Sequence, residues 1–208
     1  LRADKIIAIS NAVKLYLMQQ GEVRNALKLE VVLYGYEPSF SEEQRNCSEP
    51  SRIKKIGTIS RLTDQKDIPT MLESFRKYLQ IEPSATLAIL GEGSLEVTLK
   101  DLTESLNLGD SVKFLGRSSR IYDFLHGLDA FILTSKYEGF GLVLLEAMDV
   151  GIPIVASRNS AIPEVLGIDY IGLFETGNSD DLLKKMFLLF NFSFKHDYKL
   201  ILNNFYYA

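Results

Sequence analysis

A doubly wound α/β fold, a mainly parallel sheet flanked by helices, is what this sequence predicts, and three observations carry it. Short β-branched runs alternate with helical patterns through most of the 208 residues, as βα units stacked on one sheet require. The helical segments carry apolar stripes at helical spacing. The glycines and charges that stand out fall just after strands, where an open parallel sheet gathers its loops. The arrangement is Rossmann-like.

Taken in order, the strands are expected at Lys5 to Ile9, Leu29 to Leu33, Ile53 to Ile59, Thr86 to Leu90, Val112 to Leu115, Ala130 to Leu133, Ile154 to Ala156 and Tyr170 to Leu173. Ile68, Met71, Leu72, Phe75 and Leu79 place one helix; Leu95, Leu99, Leu102 and Leu106 place another. Leu142, Leu145, Glu146 and Met148 make a third, stopped near Gly151 and Pro153. Glu37 to Ser51 is almost without apolar residues and reads as a linker. Residues 1–38 therefore form a remnant of a preceding lobe and its crossover, 39–190 the main lobe, and 191–208 a C-terminal extension. The chain opens at Leu1 in a strand approach, which reads as a fragment of a longer protein.

Composition narrows the function. The 46% hydrophobic content excludes a disordered chain, and 23 basic against 27 acidic residues, a net charge of -4, argue against a nucleic-acid partner, which requires a dense basic face. No apolar run approaches the roughly 18 residues of a membrane span. Cys47 is alone, so neither an internal disulfide nor a cysteine-rich metal site is expected. With no secretory leader in view, a cytoplasmic location is expected.

The chemistry collects in four loops: Ser60 to Lys66, Gly91-Glu92-Gly93, Gly116-Arg117 and Thr134 to Gly141. Gly139 and Gly141 stand where a loop becomes a helix N-terminus, so a ligand can approach the backbone and the free amides attract an anion. Glu138 before that turn and Glu146 two turns into the helix could accept hydrogen bonds from sugar or ribose hydroxyls. The plainer alternative is that Glu138 caps the helix and Glu146 is solvated. Arg61 and Lys66 supply two cations after one strand, which suits a diphosphate; a solvated surface pair is the alternative. Glu96 stands where a dinucleotide fingerprint needs its third glycine, and no phosphate-binding Gly-x-x-x-x-Gly-Lys is present, so neither nucleotide motif is supported. His126 and His196 are isolated, and no Asp-x-Asp suggests a divalent metal. Asn46-Cys47-Ser48 and Asn191-Phe192-Ser193 match the glycosylation acceptor pattern only by accident.

Taken together, Glu138-x7-Glu146 with Gly139-Phe140-Gly141, Ser60-Arg61-Leu62 through Gln65-Lys66, Gly91-Glu92-Gly93, Val112-Lys113-Phe114-Leu115-Gly116 and Ile162-Pro163-Glu164-Val165 resemble the C-terminal lobe of family 4 (group 1) retaining glycosyltransferases of the GT-B fold. The resemblance covers about Ile53 to Leu189, and the opening strand and Val31 to Tyr36 are similar to the end of that family's N-terminal lobe. It implies transfer of a sugar from a nucleotide-diphosphate sugar to a glycan or lipid-linked acceptor, with no metal or other cofactor. Arg61 and Lys66 would contact the diphosphate, Glu138 the sugar hydroxyls, and Glu146 the ribose. Gly139, Phe140, Gly141 and Leu142 would offer backbone amides, while Gly91, Gly93 and Gly116 would shape the donor pocket, the Gly116 loop near the base. The acceptor would engage the missing lobe, and the full-length enzyme would sit peripherally at the inner face of the membrane. Ser60 and Asp67 replace glycines of the pattern, Thr134 a proline and Ala161 a glycine, which leaves the loop's path open. A non-catalytic nucleotide-sugar-binding module and a phosphorylase relative with an organic cofactor are the competing readings. Phe187, Phe190, Phe192, Phe194, Phe205, Tyr206 and Tyr207 give an apolar C-terminus, expected either to drive self-association or to form a terminal helix on this lobe's own core.

Overall fold

The structure, a computed structural model, describes residues 3–36 and 53–191. Six strands form one parallel sheet: β3 (Lys55–Ile59), β4 (Thr86–Leu90), β5 (Val112–Phe114), β6 (Ala130–Leu133), β7 (Ile154–Ser157) and β8 (Leu173–Phe174). Their spatial order is β5-β4-β3-β6-β7-β8, with every neighbouring pair parallel. A separate two-stranded parallel sheet pairs β1 (Ile6–Ala8) with β2 (Leu29–Val31) across the helix α1 (Asn11–Gln19). That unit has its own small core of Ala8, Val23 and Leu29.

Strand β6 explains why the sheet is covered twice. Ala130 and Ile132 join one apolar cluster and Phe131 and Leu133 the other, so alternate side chains face opposite layers. The first layer holds α2 (Ile68–Leu79), α3 (Glu96–Ser105) and α7 (Ser179–Asn191); the second holds α4 (Ile121–His126), α5 (Leu142–Val150) and α6 (Ile162–Leu166). A strand with apolar residues on both faces is buried on both. In α2 the predicted stripe is the buried one, with Ile68, Met71, Leu72 and Phe75 all packed inward. α5 ends at Gly151, at φ 79°, as the sequence predicts.

The doubly wound expectation holds, with local corrections. The strand placed at Tyr170 to Leu173 begins only at Leu173, because the Tyr170 and Leu173 amides close turns onto Gly167 and Tyr170. Gly172 passes so close to β7 that an added Cβ would lie 2.4 Å from the Ile154 carbonyl oxygen. Other strand ends move by one or two residues. The stretch 185–190 lies within α7, which buries Leu182, Met186 and Leu189 and sets Phe187 and Phe190 against the Tyr78 ring. To that point the plainer alternative, a terminal helix on this core, is the one observed. The linker, Cys47, His196 and the extension beyond Asn191 lie outside the described residues.

Candidate functional site

In a doubly wound sheet the strand order reverses once, and the loops on either side of that point part toward opposite faces, leaving a crevice at the carboxyl ends. Here the reversal falls between β3 and β6. The chain leaves β3 for α2 on one face and leaves β6 for α5 on the other. The crevice is therefore bounded by Ser60–Asp67 and Thr134–Gly141, two of the four loops singled out by sequence.

The two loops are joined across it. Lys66, in a 3-10 turn spanning Asp64–Lys66, places Nζ 2.5 Å from Glu138 Oε1, and both side chains are nearly buried. The Ser135 hydroxyl donates to the same carboxylate oxygen at 2.7 Å. The Glu138 backbone amide donates to Ser160 Oγ at 2.7 Å. Glu138 is not a helix cap: α5 starts after Gly141 without any side-chain cap, so its first amides remain available. Backbone ties reinforce the junction, with the Lys136 amide donating to the Gln65 carbonyl, Gln65 Nε2 to the Tyr137 carbonyl, and Thr134 Oγ1 to the Lys66 carbonyl. A buried charge pair with this many donors is held in one geometry.

Gly91, Gly93 and Gly116 lie on the β4 and β5 side of the same edge. The Gly91 amide donates to the Gly116 carbonyl, and the Leu62 amide to the Glu92 carbonyl. A Cβ at Gly91 would sit 1.9 Å from the Ser60 carbonyl oxygen, and one at Gly93 2.3 Å from that of Leu62. The glycines thus let two loop backbones touch. Arg61 belongs to the same loop as Lys66, but its side chain is exposed. Glu146 stands in the second turn of α5, half-buried, and burial raises its carboxyl pKa above the ordinary glutamate value. No group of three metal-ligating side chains occurs among the described residues. His126 closes α4.

Residues 39–195 match the family described as Glycosyl transferases group 1. The chain belongs to the group 1 glycosyltransferases. It is 29% identical over 178 residues to a lipopolysaccharide core biosynthesis mannosyltransferase, LpsB, of Rhizobium meliloti, covering 79% of this chain and 48% of that protein. It is 36% identical over 125 residues to the N-acetyl-alpha-D-glucosaminyl L-malate synthase of Bacillus anthracis, covering 60% of this chain and 32% of the relative. The chain thus spans a third to a half of these relatives. By fold, it superposes on TarM of S. aureus, solved with UDP, with a TM-score of 0.82 at 23% identity, over 98% of this chain and 40% of TarM. Anabaena HepE with UDP-glucose gives 0.80 at 22%, over 98% of this chain and 60% of HepE.

Three of the four departures from the glycosyltransferase pattern now have physical accounts. Asp67 adopts the left-handed conformation at φ 48°, the one a glycine takes most easily, and its carboxylate accepts from Thr70 Oγ1 at 2.8 Å. The aspartate holds this conformation with a local hydrogen bond. Thr134 supplies the hydroxyl that grips Lys66, which a proline lacks. Ser160 is also left-handed, at φ 47°, while Ala161 beside it has ordinary helical dihedrals and so needs no glycine. Nothing in the structure explains Ser60, whose hydroxyl is buried without a partner among the described residues.

Sequence reading missed Ser135, Ser160, Asn159 and Gln65 as parts of the site. Asn159 Nδ2 donates to the Lys136 carbonyl. Gln65, Asn159 and Ser160 act on residues distant in sequence and Ser135 on Glu138 three residues on, and their only signal was position just beyond a strand or in the loop before a helix.

Proposed function

We propose that this chain is the donor-binding, C-terminal lobe of a family 4 retaining glycosyltransferase of the GT-B fold, which moves a sugar from a nucleotide-diphosphate donor to a glycan or lipid-linked acceptor. The observation that carries the reading is the Lys66–Glu138 pair at the point where the strand order reverses, beside the uncapped start of α5. UDP in the solved relatives supports a nucleotide donor. In this reading the bond from the anomeric carbon to the diphosphate oxygen breaks and the new glycosidic bond forms on the same face. Lys66 and Arg61 neutralise the charge left on the diphosphate, together with the amides of Gly139, Phe140, Gly141 and Leu142. Glu138, pre-oriented by Ser135 and Lys66, accepts from sugar hydroxyls, and Glu146 accepts from the ribose. Gly91, Gly93 and Gly116 keep the pocket floor close to the base. Residues 1–38 are the end of the first lobe, and the acceptor engages the rest of that lobe. The full-length enzyme is cytoplasmic and peripheral to the inner membrane face; among the described residues no helix is long and apolar enough to cross a membrane.

A thermal-shift panel of UDP, GDP, ADP and their sugars tests the reading. A ligand present at 100 times its Kd stabilises the folded state by about 2.7 kcal/mol, so one family of nucleotides should raise the melting temperature by several degrees. A flat panel would reject a donor site here.

A further inference from the structure

We infer that Ser10 and Glu164 are positioning residues that lock Gly139 of the donor loop to the start of α1. The inference rests on the donor-site reading above and adds residues to it that lie outside, or at the far side of, the loops considered so far. Ser10 precedes the segment that matches the family.

Ser10 is fully buried and its hydroxyl works in both directions. It accepts from the Val13 amide at 3.0 Å, capping α1, and donates to the Gly139 carbonyl oxygen at 2.7 Å. A single oxygen therefore joins a helix N-terminus of one sheet to the donor loop of the other. Glu164, in the first turn of α6, completes the cap from the opposite side. Its carboxylate accepts from the Asn11 amide at 2.9 Å, from Asn11 Nδ2 at 3.0 Å and from the Ala12 amide at 2.7 Å. Glu164 is exposed, so its carboxylate could have been left to water; instead it sits on the positive end of a helix more than 150 residues away in sequence.

The same α6 entry also holds the residue before Gly139, through Ser160 Oγ and the Ala161 amide on the Glu138 backbone. Gly139 is thus clamped between α1 and the Asn159–Glu164 segment. Two ring contacts follow the same seam, Tyr16 with Tyr137 at 5.6 Å and Tyr34 with Phe140 at 5.3 Å between centroids. Neither Ser10 nor Glu164 faces the donor groups directly. They fix the carbonyl of Gly139, and with it the direction in which the following amides point, so a displacement of α1 is passed to the donor loop. Productive geometry at such a site is sensitive to shifts of about an ångström.

Ser10→Ala and Glu164→Ala test this by two independent readouts on the purified chain. Hydrogen exchange without ligand should rise several-fold in peptides covering residues 135–142 while peptides covering β4 stay as protected as before. The exposed position of Glu164 keeps that variant folded should Ser10→Ala fail. Calorimetry with inorganic pyrophosphate and with UDP-glucose should show affinity weakened three- to tenfold in both variants. Unchanged exchange across 135–142, or an equal rise in β4, would overturn the inference. If neither probe binds the unaltered chain, the donor-site reading falls, while the exchange result still decides whether α1 positions the loop.

Discussion

The loop cluster at the carboxyl edge of the main sheet and the β1–α1–β2 unit beside it are built on opposite economies. In the cluster, polar side chains with partners many residues away tie one loop to the next: Gln65, Thr134, Ser157, Asn159 and Ser160 all donate or accept across it, while Ser135 fastens Glu138 within its own loop. In the smaller unit α1 buries no residue fully, and Ile7, Leu15 and Leu27 are 65%, 57% and 86% exposed. One corner of that unit, Ser10 to Val13, is fastened to the cluster by hydrogen bonds, and Tyr16 and Tyr34 add ring contacts. The difference teaches that the loops of the cluster are tied mostly to one another, with Ser10 adding one bond from outside, whereas the first unit holds its surroundings at a few points only. Tyr36, at the end of that unit, marks a second fastening, since its hydroxyl bonds Tyr122 and buried Asp149 and is pushed far up in pKa by burial.

Substitutions can break or sharpen this contrast. The largest effect is expected at Gly91, where a side chain meets Ser60 backbone in a conformation, φ 142°, that other residues rarely adopt. Gly91→Ala should lower stability by about 3 kcal/mol or more in urea unfolding. Next come the paired charges: Lys66→Ala or Glu138→Ala should weaken nucleotide-sugar binding at least tenfold, about 1.4 kcal/mol, by calorimetry. Glu82→Ala should leave that affinity unchanged, because Glu82 lies before β4, at the amino edge of the sheet, where it bonds Ser84. Equal losses at all three positions would place the binding site elsewhere.

Glu146 gives a smaller effect with a pH signature. Its folded-state pKa is raised by burial, so the folded state holds the proton longer than the unfolded one, and stability falls as pH rises from the ordinary value of 4.5 through the folded value. Glu146→Gln removes that loss. The variant should melt higher than the parent at neutral pH, with the gain vanishing at acid pH, while binding of a ribose-bearing ligand weakens. The smallest effect belongs to the first unit: Leu27→Ser should change stability by less than about 0.5 kcal/mol, because the side chain it replaces is largely in water.

The strands and the helices α2, α3 and α5 were legible in the sequence because they depend on local periodicity. The α2 stripe, the buried β6 run and the Gly151 stop each follow from residues within a few turns of one another. Lys66 and Glu138 were also legible as candidates, since each follows a strand. Their pairing was not. Nothing between residues 66 and 138 states that β6 lies beside β3 rather than beyond β5, and that choice alone brings the two charges together. Asp67 shows the same limit from the other side: the missing glycine was visible, but only the fold revealed that the aspartate accepts its left-handed conformation and a bond from Thr70. The sequence by itself determined the elements and the chemical types at their ends, because propensity and hydrophobic spacing act over short range. Tertiary structure decided strand order, the Lys66–Glu138 contact and the bond from Ser10 to Gly139, because each depends on burial and on side chains from distant segments meeting at distances that no local pattern encodes.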